Sequence, residues 1–285
     1  MFFDCINVLF LCTLTAVTLY PFLHVAFASV STPSELASHS GLLFHPIGIQ
    51  WEAYKLVLSN PLIVSGYKNT LIYVTVGTAL NVLVTALMAY ALSRKGVLLR
   101  NYVMMFIVFT MFFSGGLIPT YLMIKGMGLL NSIGALVLPG LISTMNLIIM
   151  RTYFQSIPES LEESARLDGA GDWVILFRII IPLSMPVISV MILYYGVGHW
   201  NAWFNASIYL NKAELYPLQL VLRNILINNN TEDMMVTLGI DKKGQDMSEV
   251  IKYSTIMVAT IPVLIVYPFL QRYFAKGVMI GAIKG

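Results

Sequence analysis

Charged residues with the spacing of a docking helix occur between Ser156 and Pro186. Ser156 and Glu159 have the spacing of a capping box, which predicts that a helix begins there. Gly169 predicts a turn that ends this helix, and Asp172 predicts the N-cap of a second one. Carboxylates on a short exposed helix can pair with basic groups of another protein. The segment therefore predicts an acidic, amphipathic helix that a partner protein binds.

A second group of polar and aromatic residues follows in the sequence G-V-G-H-W-N-A-W-F-N, which ends at Asn205. Aromatic rings can pack against the C–H faces of sugars, and Asn or His can form hydrogen bonds with their hydroxyl groups. The candidates for a substrate path are His199, Trp200, Asn201 and Trp203. The alternative is helix packing combined with an aromatic belt, because Trp is common at membrane boundaries.

The sequence lacks the motifs of several enzyme and cofactor-binding classes. The chain has no G-x-x-x-x-G-K-[ST] loop for ATP, no H-E-x-x-H or paired-cysteine spacing for a metal, and no G-x-S-x-G for a hydrolase. We therefore predict that the chain is not an enzyme and that it carries no cofactor or metal of its own. The net charge of +3 gives no indication of nucleic-acid binding.

The composition is that of a polytopic membrane protein, with 58% hydrophobic and 11% charged residues. A helix of about 20 apolar residues crosses a bilayer. Windows without Asp, Glu, Lys or Arg cover 5–34, 69–93, 101–124, 126–150, 179–211 and 253–271. They predict an all-α chain with six transmembrane helices. Since proton- or sodium-coupled carriers place charges inside their spans, these windows favour an uncoupled or externally powered path.

The distribution of positive charge predicts the orientation in the membrane. Lys and Arg cluster in the turn 94–100 and after the last span, at Arg272, Lys276 and Lys284. By the positive-inside rule both termini are cytoplasmic, as is the loop 151–178. The external segments are then 31–68, 125–132 and 212–252.

Local features add predictions within these boundaries. Residues 5–30 form an uncleaved first span, or alternatively a signal peptide with a cleavage-like Ala26-Phe27-Ala28. A short interfacial helix is expected over 51–58, and an apolar helix over 216–227. Ser114-Gly115-Gly116 predicts a kink in the third span. Asn81 in the second span either hydrogen-bonds to another helix or contacts substrate.

The acidic loop also resembles a known family. The residues Glu163-Ser164-Ala165, Asp168-Gly169-Ala170 and Ile179-x-Ile181-Pro182-Leu183 resemble the EAA loop of permease subunits of bacterial ABC importers. The surrounding pattern is similar to the carbohydrate branch, on the side of the maltose permease's G subunit. The sequences Y-P-F-L-H-V and Y-P-L-Q-L-V-L-R are similar to LplC/YtcP-type permeases of Gram-positive bacteria. The chain departs from the family pattern at Ser164, where alanine is usual, and at Ile181, where leucine is usual.

The resemblance implies a type I importer permease (MetI-like) fold with a cytoplasmic coupling helix. It implies a second, different permease subunit, two ATPase subunits that bind ATP, and an extracellular solute-binding lipoprotein. The residues expected to couple to the ATPase are Glu162, Glu163, Ser164, Ala165, Asp168, Gly169, Ala170 and Pro182.

The function expected from the resemblance is ATP-driven import of a carbohydrate, specifically an oligosaccharide, across the bacterial cytoplasmic membrane. An ATP-independent secondary sugar carrier is the alternative. The expected division of the chain is a first span with an external segment (1–68), a permease core (69–275) and a cytoplasmic tail (276–285). The core includes the coupling loop 156–181 and the external insertion 212–252.

Overall fold

A computed structural model of the chain describes residues 2–227 and 245–282. The helices are α1 (Phe2–Val30), α2 (Pro33–Ser38), α3 (Glu52–Ser59), α4 (Pro61–Ser93), α5 (Arg100–Phe112), α6 (Leu117–Gly126), α7 (Ile133–Val137), α8 (Thr144–Gln155), α9 (Glu159–Leu167), α10 (Asp172–Ile175), α11 (Ile181–Leu183), α12 (Met185–Trp200), α13 (Phe204–Tyr209), α14 (Leu218–Ile227) and α15 (Gln245–Ala282). A 3₁₀ turn, Leu138–Gly140, continues α7, and a π-helical turn, Leu176–Ile180, joins α10 to α11.

Within residues 2–227 and 245–282, six elements are long and apolar enough to cross a membrane when each bent pair of helices is counted as one span. Three are single stretches of helix, namely Phe3–Val30, Pro61–Ser93 and Met247–Ile265. The other three are bent pairs: α5 with α6 at 115°, α7 and its 3₁₀ turn with α8 at 55°, and α10–α11 with α12 at 84°. The six predicted spans therefore each have a counterpart, and half of them are broken.

The first broken span confirms the predicted interruption at 114–116. Helix α5 ends at Phe112 and α6 begins at Leu117, with Gly116 at a φ of +85° between them. Only glycine adopts this φ without strain, so the chain turns sharply here instead of bending gently. The interruption is a break, more severe than the predicted kink.

Other boundaries correct the sequence-based expectation. The window that predicted the fifth span extends to residue 211, but α12 ends at Trp200 and α13 is a separate short helix. The second span begins at Pro61, inside the segment assigned to the exterior, because proline is well accommodated in a first helical turn. The predicted short helices over 51–58 and 216–227 correspond to α3 and α14.

The backbone forms two compact units. The first comprises Met1–Tyr67 and Leu218–Ile265. Within it, Ser254 Oγ donates a hydrogen bond of 3.0 Å to the carbonyl oxygen of Ser29, and the rings of His24 and Tyr253 meet edge to face. These contacts pack α15 against the end of α1.

The second unit comprises Lys68–Pro217 and Val266–Gly285. Its core is an apolar cluster contributed by α4, α8, α10, the π-helical turn and α12; its fully buried members include Ala89, Met150, Phe154, Ile175, Ile180 and Met191. The cluster fixes the ends of these helices relative to one another. It is the platform from which α9 projects.

Parts of two predictions cannot be compared with the structure. Residues 228–244 of the predicted external insertion and Lys284 of the tail lie outside the described residues. So do the side chains of Arg272 and Lys276.

Candidate functional site

The beginning of α9 differs from the predicted capping box. Ser156 is the C-cap residue of α8, and its hydroxyl donates to the carbonyl oxygen of Tyr153 at 2.7 Å. Pro158 is the N-cap residue of α9, without a side-chain cap. Glu159 instead lies 2.9 Å from the ammonium group of Lys95. The capping-box prediction was wrong because Ser156 completes the preceding helix.

The end of α9 confirms the predicted glycine turn. Gly169 has a φ of +84°, and its N–H donates to the carbonyl oxygen of Arg166 at 3.0 Å. The N–H of Ala170 donates to the carbonyl oxygen of Ala165 at 2.9 Å. These two bonds form a Schellman motif, and both alanines pack against the apolar core cluster. The C-terminus of α9 is thus attached firmly to the core.

The second helix of the loop is not capped as predicted. Gly171 is the N-cap residue of α10, and Asp172 is the first helical residue. The carboxylate of Asp172 forms an ion pair with Arg166 across the turn. A carboxylate in the first turn still interacts favourably with the helix dipole. The acidic residue therefore stabilises the start of α10 and the turn together.

The two adjacent glutamates of α9 point in different directions, since neighbouring helical residues do not share a face. Glu162 is buried, with 6% of its surface exposed, and its Oε1 lies 2.6 Å from Nη1 of Arg94. Glu163 is exposed. The other residues expected to couple divide similarly: Ser164, Asp168, Gly169 and Pro182 are exposed, whereas Ala165 and Ala170 are half-buried. The exposed set forms the surface available to a partner protein.

The environment of Glu162 changes its acidity. Burial raises the pKa of its carboxyl group, while the positive charges of Arg94 and Arg166 oppose that shift. Arg94 is itself placed over the ring of Tyr90, with Cζ 4.9 Å from the ring centroid, which is a cation–π geometry. Arg94 follows directly after α4. This pair therefore connects the loop helix to the end of a membrane span.

His199 and Asn81 form a contact between two spans. His199 Nε2 lies 2.7 Å from Asn81 Oδ1, and Asn81 Nδ2 donates to the carbonyl oxygens of Gly140 and Leu141 at 2.9 and 2.7 Å. Because amide Oδ1 only accepts, His199 Nε2 carries the proton. Asn81 has no exposed surface. The geometry agrees with the helix-to-helix interpretation of Asn81, with His199 as its partner on α12.

A parallel contact lies one helical turn away on both helices. Thr85 Oγ1 and Tyr195 Oη are 2.8 Å apart, and Tyr195 Oη accepts a hydrogen bond of 3.0 Å from the backbone N–H of Ser143. We call Asn81, Thr85, Tyr195 and His199 the polar clasp. It joins α4 and α12 and satisfies backbone groups freed by the break between α7 and α8. Sequence reasoning missed Thr85 and Tyr195, although the spacing of four residues in each helix was visible.

Gly77 makes the histidine contact possible. A Cβ atom at this position would lie 2.5 Å from His199 Nε2, which is closer than real Cβ contacts. A larger side chain at residue 77 would have to displace the imidazole ring, whereas the backbone conformation of this residue does not itself call for glycine.

The remaining substrate-path candidates lie at the end of α12. Asn201 is the C-cap residue of α12, and its side chain is exposed. Its Nδ2 donates a hydrogen bond of 3.0 Å to the carbonyl oxygen of Val197. The indole nitrogen of Trp200 is buried, with no hydrogen-bond partner in the described part of the chain. Trp203 is half-buried and packs edge to face against Phe204. Among the described residues, no three His, Cys, Asp or Glu side chains are grouped to hold a metal ion.

Six candidate membrane spans in the described part of the chain, three of them broken, define a multi-pass membrane protein. An exposed helix, α9, lies between the fourth and the fifth of them. The chain belongs to the family described as "Binding-protein-dependent transport system inner membrane component", whose model matches residues 70–280. It has the MetI-like fold of that family and is a transport permease, not an enzyme.

Individual proteins resemble the chain along nearly its whole length. Protein LplC of Bacillus subtilis is 43% identical over 99% of this chain and 95% of its own. The polygalacturonan/rhamnogalacturonan transport system permease protein YtcP of the same organism is 43% identical over 99% and 98%. A chain in the crystal structure of a bacterial ABC transporter that imports the acidic polysaccharide alginate superposes with a TM-score of 0.88, at 31% identity and 96% coverage of both chains. Permeases of this family work with an ATPase and a binding protein.

Proposed function

We propose that this chain is a permease subunit of an ATP-driven importer that carries an oligosaccharide across the bacterial cytoplasmic membrane. The observation that carries the proposal is the likeness, along nearly the full length, to YtcP and to the alginate importer. Both transport systems are named for polymers of acidic sugars. An acidic oligosaccharide is therefore the first substrate class to test.

The exposed surface of α9 supports the proposed docking to an ATPase. Glu163, Ser164 and Asp168 face outwards, and the helix is short, acidic and attached at its C-terminus by the Schellman motif. In the proposed complex, two ATPase subunits bind ATP and basic groups on one of them contact Glu163. A second permease subunit completes the pathway, and an extracellular lipoprotein delivers the sugar.

The proposed orientation places α9 and both termini in the cytoplasm, as the clusters of Lys and Arg predict. Closure of the ATPases on ATP would then displace α9. Because α9 is joined to a packed core and is not a free loop, its displacement would move the attached spans as a rigid body.

The observed contacts give a reason to favour some of the candidate substrate-path residues at the end of α12 over others. His199 and Asn201 each have a polar nitrogen engaged within the chain. Trp200 and Trp203 are therefore the stronger candidates for contact with sugar rings. Their replacement by alanine is expected to change substrate preference more than replacement of Asn201.

The proposed function is tested by reversing the exposed charge of α9. Glu163→Lys should abolish ATP-dependent uptake of labelled trigalacturonate by the purified, reconstituted importer, because the basic ATPase surface would meet a like charge. The amount of assembled complex should stay unchanged. Glu52→Lys, the same change at the exposed first residue of α3, is the matched control and should leave uptake intact.

Two outcomes would contradict the proposal. Normal uptake by the Glu163→Lys importer would show that the exposed charge of α9 is not needed for coupling to the ATPase. Uptake by this chain alone in liposomes, without any ATPase, would show a secondary carrier instead.

A further inference from the structure

Two ion pairs connect the beginning of α9 to the end of α4. Arg94 pairs with Glu162 at 2.6 Å, and Lys95 pairs with Glu159 at 2.9 Å. Their environments differ greatly. The side chains of the first pair are 16% and 9% exposed, whereas those of the second are 77% and 56% exposed. The same two elements therefore share one buried and one solvated contact.

The buried pair has the properties of a positioning contact. Burying two charges costs desolvation energy, so such pairs contribute little net stability, but they hold their partners in one arrangement. Arg94 is fixed further by the Tyr90 ring, and Nε and Nη2 of its guanidinium are buried without hydrogen-bond partners in the described part of the chain. Glu162 is thus the carboxylate that offsets the charge of this buried guanidinium group.

A continuous set of contacts leads from this pair into the membrane. Arg94 follows the last turn of α4, and α4 carries Asn81 and Thr85 of the polar clasp. The clasp joins α4 to α12 and to the backbone at the break before α8. Arg151 of α8 also donates from Nε to the carbonyl oxygen of Leu92 at 2.8 Å, which attaches α8 to the same end of α4.

We infer that the buried Arg94–Glu162 ion pair is the positioning link that transmits movement of α9 to α4, and through the polar clasp to the broken fourth span and α12. This inference rests on the proposed function. It assigns Glu162 an internal role, distinct from contact with the ATPase, which belongs to the exposed face that carries Glu163.

The test separates transmission from folding. In the reconstituted importer, Glu162→Gln keeps the shape of the side chain and removes its charge. We expect uptake of labelled trigalacturonate to fall by about tenfold, the size of a typical direct coupling between contacting groups. ATP hydrolysis by the same complex should stay within about twofold, since the ATPase contact is intact. The ratio of sugar transported to ATP hydrolysed is therefore the decisive quantity.

Two further variants complete the test. The exchange Arg94→Glu with Glu162→Arg should restore a substantial part of the transport ratio, and Glu162→Asp should retain more of it than Glu162→Gln. The matched control is Lys95→Met with Glu159→Gln, which removes the solvated pair between the same elements and should change uptake by less than about twofold.

Several results would overturn the inference. One is a transport ratio for Glu162→Gln equal to that of the wild type. Another is loss of assembled complex in both Glu162→Gln and Glu162→Asp, which would make the pair a folding requirement. A third is a fall in uptake for the control, Lys95→Met with Glu159→Gln, as large as the fall for Glu162→Gln. ATP-independent uptake by the wild-type importer would instead refute the proposed function itself, so the two failures can be distinguished.

Discussion

The contact between Gly77 and His199 leads to a prediction whose size follows from the structure. In Gly77→Ala, the new methyl group would lie 2.5 Å from His199 Nε2, 2.8 Å from Cε1 and 2.9 Å from Cδ2. The imidazole ring must move away. Its hydrogen bond to Asn81 Oδ1, now 2.7 Å long, would then be lost in a buried environment.

The expected cost combines two destabilising contributions and one stabilising contribution. Overpacking costs about 1–3 kcal/mol, and an unpaired buried acceptor costs about 1–3 kcal/mol. Alanine in a helix gains about 1 kcal/mol over glycine. A net destabilisation of about 3 kcal/mol corresponds to a Tm lower by roughly 6–12 °C for a chain of this size.

The assay is thermal unfolding of the purified protein in detergent. The quantity measured is the fraction of protein that stays monodisperse as the temperature rises. Gly198→Ala is the matched control, because it lies on α12 beside His199 and a Cβ there meets no atom within 4 Å. It should leave the Tm unchanged or raise it. In a His199→Ala background, Gly77→Ala should no longer destabilise. An equal loss of Tm in both backgrounds would refute the steric argument.

Two further predictions concern the loop around α9. Gly169→Ala places a side chain at a φ of +84°, so it should destabilise the protein by about 1–2 kcal/mol through backbone strain alone, measured by denaturation, whereas Gly171→Ala should not. Burial raises the pKa of Glu162, with Arg94 and Arg166 opposing the shift and Glu159 and Asp172 adding to it. The folded chain therefore holds this proton more tightly than the unfolded chain. The resulting stability is present below the ordinary glutamate pKa of about 4.3 and is lost as pH rises through the higher folded value. Glu162→Gln should accordingly gain Tm relative to the wild type as pH rises across that window.

Each of these two predictions would be contradicted by a specific measurement. Equal stability of Gly169→Ala and Gly171→Ala would show that the turn does not constrain the backbone. A Tm difference between Glu162→Gln and the wild type that is constant with pH, or that changes in the opposite direction, would contradict the raised pKa.

Local features of the sequence predicted much of the architecture. The charge-free windows predicted six crossings, because the lack of charge over about 20 residues is itself what allows a helix to enter lipid. The break at 114–116 and the turn at Gly169 were also predicted, since they depend on conformations that glycine adopts readily. Family membership followed from the residues of the acidic loop.

Local reasoning failed where one residue had two possible partners. Ser156 had the spacing to cap α9 and also the position to end α8, and it ends α8. Asp172 had the type and place of an N-cap, but it pairs with Arg166 across the turn. In both cases a competing contact nearby decided the outcome. The spacing of the residues alone did not show which of the two possible contacts would form.

The sequence by itself determined that the chain crosses a membrane six times and exposes an acidic helix between the fourth and fifth crossings. Only the tertiary structure decided that Glu162 faces Arg94 while Glu163 faces outwards, and that His199 is bonded to Asn81, 118 residues away. The physical reason is that apolar residues occur all around α4 and α12, so the hydrophobic pattern does not fix their rotation about the helix axis. Packing fixes that rotation, and with it the polar clasp and the link to α9.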